Sequence, residues 1–478
     1  VSLARSVFRN AVFKGAGEVV VRLLSFAFVV FVARSLQASD FGVLNFAYSF
    51  PILFIVLADF GFNPLLIREA SRQPEQAGKI FFNLFGMKSL LSLAYAGAVA
   101  LGLRLLSPAA PFYRVAYLLA LFMLLNSFTE FLNAVFQSRQ RMELEALVMS
   151  WQKLSLLVLG LLALALGWGL EGVAAAYVAA GACGLVAAAL LLRQTGFVRG
   201  AWRFDPAYLR YALGQALPLT LTTLFINIYF RIDMTLLAKM RPAAEVGWYG
   251  AAHKCIEVLM VVPAVLVAAS FPGFSRLFVE NPERLRQASH NLLRLLLLLA
   301  VPLAAGGILL GRPLLELVFG AGYRAAGGAF GWLAVALAFI FMNYLLSYLL
   351  ISGGRQKINA LVAGLAVIVS VGANLLLIPR FGYLGAAASA AATEAVLFAA
   401  YFGSVHRLLF PLSLGKPLLR VLLATAVMLI PVWWLRQTPV PAVILGLAAY
   451  LAAAWWLKAL HPDDLEIWKR IFRRSDHA

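Results

Sequence analysis

Stretches of about 20 apolar residues recur from one end of the chain to the other, and this restricts it to a bundle of membrane-crossing helices. An α-helix rises about 1.5 Å per residue, so 20 residues cross a hydrocarbon core of about 30 Å. Fourteen stretches qualify, at approximately 14–34, 42–67, 82–106, 113–137, 146–166, 172–192, 211–237, 246–272, 290–310, 328–351, 358–378, 383–405, 418–436 and 440–458. The loops between them are too short for an extramembrane domain. Of 478 residues, 40 are Lys or Arg and 21 are Asp or Glu, where a soluble chain of this length carries about 120 charges. That excludes a soluble enzyme, a soluble nucleic-acid binder and a disordered protein. A membrane β-barrel would show segments of about 10 residues with alternating polarity, and the sequence has none. Cys183 and Cys255 lie in apolar stretches and read as small buried hydrophobes, so neither a disulfide framework nor a metal site is expected. The first stretch is too long for the core of a cleaved signal peptide and lacks a small-residue cleavage site. It is expected to stay as the first helix.

The net charge of +19 belongs to the loops, not to a surface for nucleic acid. With the N-terminus placed in the cytoplasm, 25 basic residues fall on that side and nine on the other, Arg312, Arg324 and Arg436 among the nine. This bias puts both termini in the cytoplasm. The basic, amphipathic tail after Trp456 is expected at the cytoplasmic interface.

The chain repeats itself. Ala33-Arg34-Ser35-Leu36-Gln37-Ala38-Ser39-Asp40-Phe41-Gly42 aligns with the segment from Ala238 to Gly247 at an offset of 205. Arg139-Gln140-Arg141-Met142 aligns with Arg355-Gln356-Lys357-Ile358 at 216, and the glycines 169 and 172 with 382 and 385 at 213. Six helices per repeat give both halves the same orientation, related by a pseudo-two-fold axis along the membrane normal. The expected fold is therefore all-α and polytopic. One six-helix lobe occupies 1–195, a second 196–410, and helices 13 and 14 with the tail occupy 411–478.

Charges inside spans cost about 2.5–3.5 kcal/mol each on insertion scales, so they mark where function is sought. The basic candidates are Arg22, Lys88, Arg231, Lys254 and Arg294. The acidic and polar ones are Glu18, Asp59, Asn63, Glu130, Asn227, Asp233 and Glu257. Helical spacing places several on common faces: Glu18 with Arg22; Asp59 with Asn63; Asn126, Glu130, Asn133 and Gln137; Thr220, Thr223, Asn227 and Arg231. Glu257 reaches both His253 and Lys254. Lys88 and Arg294, 206 residues apart, read as pseudo-symmetric cations. The competing structural interpretation makes Lys254–Glu257 an internal pair and lets Lys88, Lys153 and Arg294 snorkel to headgroups. No nucleophile–base set and no metal-ligand spacing stands out. A duplicated bundle with a partly cationic lining reads as a transporter of an anionic ligand rather than an enzyme.

The segments Ala33-Arg34-Ser35-Leu36-x-x-x-Asp40-Phe41-Gly42, Ala58-Asp59-Phe60-Gly61-Phe62-Asn63-Pro64 with Arg68-Glu69, and Gly382-Tyr383-Leu384-Gly385-Ala386-Ala387 resemble those of the polysaccharide repeat-unit flippases of O-antigen type. That family belongs to the multidrug/oligosaccharidyl-lipid/polysaccharide exporter superfamily. The resemblance implies a cavity lined by helices 1, 2, 7 and 8, where Arg22, Asp59, Arg231 and Lys254 sit. It implies passage of undecaprenyl-pyrophosphate-linked oligosaccharide from the cytoplasmic to the periplasmic leaflet of the inner membrane by alternating access. The partners it implies are the glycan substrate, the bilayer, and a glycan polymerase with export machinery. No cofactor is expected; coupling to the membrane potential, H+ or Na+ stays open. A lipid II flippase or a cation-coupled multidrug exporter is the alternative within the superfamily. A membrane-embedded glycan polymerase or acyltransferase is the alternative outside it.

Overall fold

The computed structural model of the chain describes residues 24–106, 110–198 and 205–459, and all regular structure among them is helical. The chain runs through α1 (Leu24–Ser35), α2 (Ala38–Asp59), α3 (Phe62–Arg72), α4 (Ala77–Leu106), α5 (Ala110–Ser138), α6 (Met142–Ala165), α7 (Gly169–Thr195) and α8 (Pro206–Met240). It continues with α9 (Ala243–Leu259), α10 (Val261–Glu280), α11 (Pro282–Phe319), α12 (Ala326–Ser352), α13 (Gln356–Phe381), α14 (Tyr383–Leu408), α15 (Gly415–Trp434) and α16 (Pro439–Trp456). Among the described residues thirteen spans are long and apolar enough to cross a membrane, with α2–α3 and α9–α10 each counted as one, and α1 is a shorter apolar helix. The last thirteen expected stretches coincide with these spans. The helices run several residues past most of the apolar stretches, because helical hydrogen bonding continues into the polar interface where hydropathy has already fallen. Glu18 and Arg22 lie outside the described residues.

The chain forms two compact units, 1–247 and 248–478. In the first, α2 packs against α4, α5, α7 and α8, and α7 packs against α5 and α6. The first unit includes α8, which lies along α2. In the second unit α12 packs between α11 and α14, α13 packs on α14, and the α15–α16 pair rests on α11. The pairings α5–α7 and α6–α7 of the first unit thus recur as α12–α14 and α13–α14 in the second.

Helix starts give the register of the repeat. Ala38 and Ala243, then Ala77 and Pro282, are 205 apart; Met142 and Gln356, then Gly169 and Tyr383, are 214 apart. The alignment of Arg139-Gln140-Arg141 at 216 is therefore shifted by two. The left-handed residue that turns α5 into α6 is Gln140, and its counterpart between α12 and α13 is Gly354. Arg141 N–H bonds to Phe136 O as Arg355 N–H bonds to Leu350 O. The basic side chains misled the alignment, because the turn is fixed by its backbone and not by its charges.

Two glycines show why the first repeat motif carries that residue. A Cβ on Gly42 would stand 1.8 Å from Ala243 O, and one on Gly247 would stand 1.9 Å from Ala38 O. Ala38 corresponds to Ala243 and Gly42 to Gly247, so this contact between the first turns of α2 and α9 is reciprocal.

Candidate functional site

The first unit contains a charged cluster at a break in a membrane-spanning helix. Phe60 and Gly61 both adopt left-handed backbone angles, φ 41° and 67°, and so separate α2 from α3. Gly61 also faces α8 closely, where a Cβ would lie 2.9 Å from Ala216 O. Pro64, in the first turn of α3, needs no hydrogen-bond acceptor there. The break leaves the carbonyl end of α2 inside the unit, with Asp59 as its last residue. A helix C-terminus carries partial negative charge, and the adjoining carboxylate adds to it.

Lys88 of α4 answers that charge. Its side chain is 0% exposed. Nζ donates to Asp59 Oδ1 at 2.7 Å, to Ser127 Oγ of α5 at 2.5 Å and to Ala58 O at 3.3 Å. It also stands over the rings of Phe128 and Phe131, at 5.3 and 5.8 Å from their centroids. Ser127 Oγ donates in turn to Asp59 Oδ1 at 2.5 Å. An ammonium has three N–H donors, and here all three are used. Lys88 therefore neither snorkels to a headgroup nor offers a donor to a ligand; it seals the broken end of α2. Asp59 is 26% exposed, so the cluster reaches open space through its carboxylate.

The polar stripe read on α5 is present. Asn126 Nδ2 donates to Glu130 Oε1 at 2.8 Å, and Gln152 of α6 donates to Asn126 Oδ1 at 3.3 Å. Two turns beyond Glu130, Gln137 donates to Glu145 of α6 at 2.9 Å. Glu130 is exposed, within electrostatic reach of Asp59, Lys88 and Lys153. Asn63, in the first turn of α3, keeps its side-chain oxygen enclosed and without a donor among the described residues.

On α8 the expected stripe separates. Thr220 and Thr223 turn their hydroxyls back onto Ala216 O and Leu219 O. Asn227 reaches across to Ile52 O of α2 at 3.3 Å. Arg231 stays half-buried, and Asp233 is buried with Oδ1 accepting from the Met234 N–H. In the second unit, Glu257 accepts from Lys254 at 2.6 Å and lies 3.4 Å from His253 Nδ1, so it meets both. Arg294 is half-buried on α11. At the offset of 205 the counterpart of Lys88 is buried Leu293. Arg294 is one residue further on, about 100° around the helix, so the two cations are not equivalent. Ser127 and Gln152 carried no signal in the sequence: each earns its place through a partner on another helix. The same holds for the second unit's buried pair, Asn343 Nδ2 to Glu394 Oε2 at 2.7 Å. Among the described residues no group of three His, Cys, Asp or Glu gathers as metal ligands.

At the loop end of α8, outside the membrane-spanning part, Asp205 accepts from the Tyr208 N–H at 3.0 Å and pairs with Lys79 at 2.7 Å. The Lys79 ammonium, with the backbone N–H groups of the helix start, holds the Asp205 carboxyl below the usual range.

The family described as polysaccharide biosynthesis protein matches residues 7–278, more than half of the chain. The chain is similar to the "EPS I polysaccharide export inner membrane protein EpsE" of Ralstonia solanacearum, 27% identical over 214 residues, which are 44% of this chain and 49% of that one. It thus spans about half the length of that relative. Among solved structures it resembles the lipid II flippase MurJ in an inward closed conformation, with TM-score 0.79, 14% identity, 93% of this chain and 98% of that one covered. It also resembles an inward-facing multidrug-resistance MATE family transporter of the MOP superfamily, with TM-score 0.66, 16% identity, and 81% and 94% covered. At these identities the likeness is one of fold.

Proposed function

The chain belongs to the polysaccharide biosynthesis protein family, and from that premise we propose that it is a flippase for polyprenyl-diphosphate-linked oligosaccharide. It would carry the glycan from the cytoplasmic to the periplasmic leaflet of the inner membrane, with both termini cytoplasmic. A diphosphate-sugar headgroup is anionic and strongly hydrated, and cations inside the membrane offset part of its desolvation. The observation that carries the reading is the contrast in exposure between the sealed Lys88 and the half-buried Arg231 and Arg294. A cation left half-exposed within a span is within reach of an anion. Access alternating between the two leaflets is the transport cycle we infer, without covalent chemistry. A glycan polymerase and export machinery would take the product. Asp59 is engaged by Lys88, and the exposed Glu130 is the carboxylate we assign to any H+ or Na+ coupling.

Thermal stabilisation of the purified protein by undecaprenyl diphosphate tests this, against lipid II and a lipophilic cationic dye. Ligand at 100 times its Kd adds about 2.7 kcal/mol. Stabilisation by the diphosphates, lost in Arg22→Ala/Arg231→Ala, is expected. Lipid II binding more tightly than undecaprenyl diphosphate moves the assignment to the lipid II flippase. Stabilisation by the dye alone moves it to a drug exporter.

A further inference from the structure

The second unit carries a cavity of about 1280 Å³ that none of the groups above uses. It lies where α11 ends, α12 begins and α15 turns into α16, all at one end of the unit's helices. Gly327, Gly328 and Gly331 of α12 line it, and Gly327 and Gly331 pack against Gly307 and Gly311 of α11. A Cβ on Gly327 would stand 2.3 Å from Arg312 N, and one on Gly311 would stand 2.6 Å from Gly327 O. Such close helix contact leaves the flanking long side chains as walls. These include Arg312, Arg324 and Arg436, with Trp332 and Trp433.

The charges do not cancel. Glu316 pairs with Arg324 at 3.0 Å, and no acidic partner meets Arg312 or Arg436 among the described residues. Arg436 lies over the Trp433 ring, 4.4 Å from its centroid, which holds the guanidinium in place. Next to this basic mouth is a second cavity of about 580 Å³ between α11 and α15, lined by apolar side chains from Ala305 to Leu309 and from Ala426 to Trp434. The two share Ile308, Leu309 and Trp433. The apolar slot runs about one turn along α11 and about two turns, about 12 Å, along α15. Tryptophan and arginine at a span's end mark the headgroup level. Arg312, Arg324 and Arg436 all belong to the side with nine basic residues, so the headgroups are those of the periplasmic leaflet.

We propose that this groove binds an anionic phospholipid of the periplasmic leaflet, its phosphate on Arg312 and Arg436 and one acyl chain in the slot between α11 and α15. A phosphate takes two guanidinium groups through charge-assisted hydrogen bonds. The slot is open toward lipid, where Ile308, Ile430 and Trp434 are exposed, so the second chain stays in the bilayer. The site does not depend on transport, and only the leaflet it faces rests on the orientation proposed above.

Native mass spectrometry of the full chain in detergent tests it, with dioleoyl phosphatidylglycerol, dioleoyl phosphatidylcholine and undecaprenyl diphosphate as probes. The wild type is expected to retain one phosphatidylglycerol at least about tenfold more tightly than phosphatidylcholine. Arg312→Gln/Arg436→Gln, at exposed positions, is expected to abolish that preference. Ala426→Phe, which fills the slot and leaves the charges, is expected to weaken dioleoyl phosphatidylglycerol and spare the short-chain dihexanoyl form. Equal retention of the two phospholipids, or an unchanged preference in the double variant, overturns the proposal. Undecaprenyl diphosphate that displaces phosphatidylglycerol and loses affinity in the same double variant also overturns it, and assigns the groove to the transported lipid.

Discussion

Lys88 and Asp59 make opposite demands on a substitution. Lys88→Met removes the cation and leaves Asp59 and the open end of α2 facing each other. Breaking a fully buried pair costs about 3–5 kcal/mol, and the partial exposure of Asp59 lowers the figure. Lys88→Met is therefore expected to depress the thermal midpoint in detergent strongly. Lys88→Met/Asp59→Asn is expected to recover most of the loss. A double variant as unstable as the single one would show that Lys88 acts through packing. Asp205 gives a pH dependence. Its carboxyl titrates below the ordinary value in the fold, near about 3.9 when unfolded. Its stabilisation is thus present above that ordinary value and lost as pH falls through the lower, folded one. Between about pH 6 and about pH 3, Asp205→Asn is expected to flatten part of the decline in midpoint and still cap α8, because Asn caps well. Asp205→Ala loses the cap too. That Lys88 and Asp59 are charges within spans was legible in the sequence. That Lys88 is sealed and Arg231 half-open was not, since Ser127 and the end of α2 come from other helices.

The helices themselves were legible to within a few residues at most ends, because each is a long apolar run. Their breaks were harder. Asp59-Phe60-Gly61 reads as helix interior by hydropathy, and only the left-handed angles at Phe60 and Gly61 interrupt it. The repeat was legible in outline and misplaced by two residues at the α5–α6 turn. Where residues are held by contact, sequence identity gave the right register, as at Gly42 and Gly247. Gly42→Ala tests that contact. The added Cβ meets backbone atoms of α9, which have no rotamer to change. It is expected to cost about 1–3 kcal/mol, as overpacking does, measured as a fall in thermal midpoint. Gly97→Ala in α4 is the control. Nothing lies within 4 Å of the new Cβ, and alanine favours a helix by about 0.5–1 kcal/mol, so the midpoint is expected to hold or rise. Equal losses in the two variants would mean that the α2–α9 crossing is not specially close in the folded protein.

At the scale of the whole chain, the membrane potential sets the direction in which an anion is driven. With the cytoplasm negative, two diphosphate charges leaving it gain about 4.6 kcal/mol per 100 mV, at about 2.3 kcal/mol per charge. The gain is complete only if no protein cation travels with them. Arg231 and Lys254 sit on helices, so any movement they make across the field is smaller than the ligand's. Net negative charge therefore leaves with each glycan in the proposed cycle. In proteoliposomes holding the full chain, an interior-negative potassium diffusion potential is expected to speed outward movement of a fluorescent prenyl-diphosphate saccharide and to slow its return. Glu130→Gln separates ion coupling from this effect. If Glu130 carries a proton or Na+ inward with each glycan, the variant loses the response to an imposed ion gradient and keeps the response to the potential. Transport indifferent to the potential in both proteins would mean that the charge is compensated inside the cycle, and that direction comes from removal of the glycan on the periplasmic side.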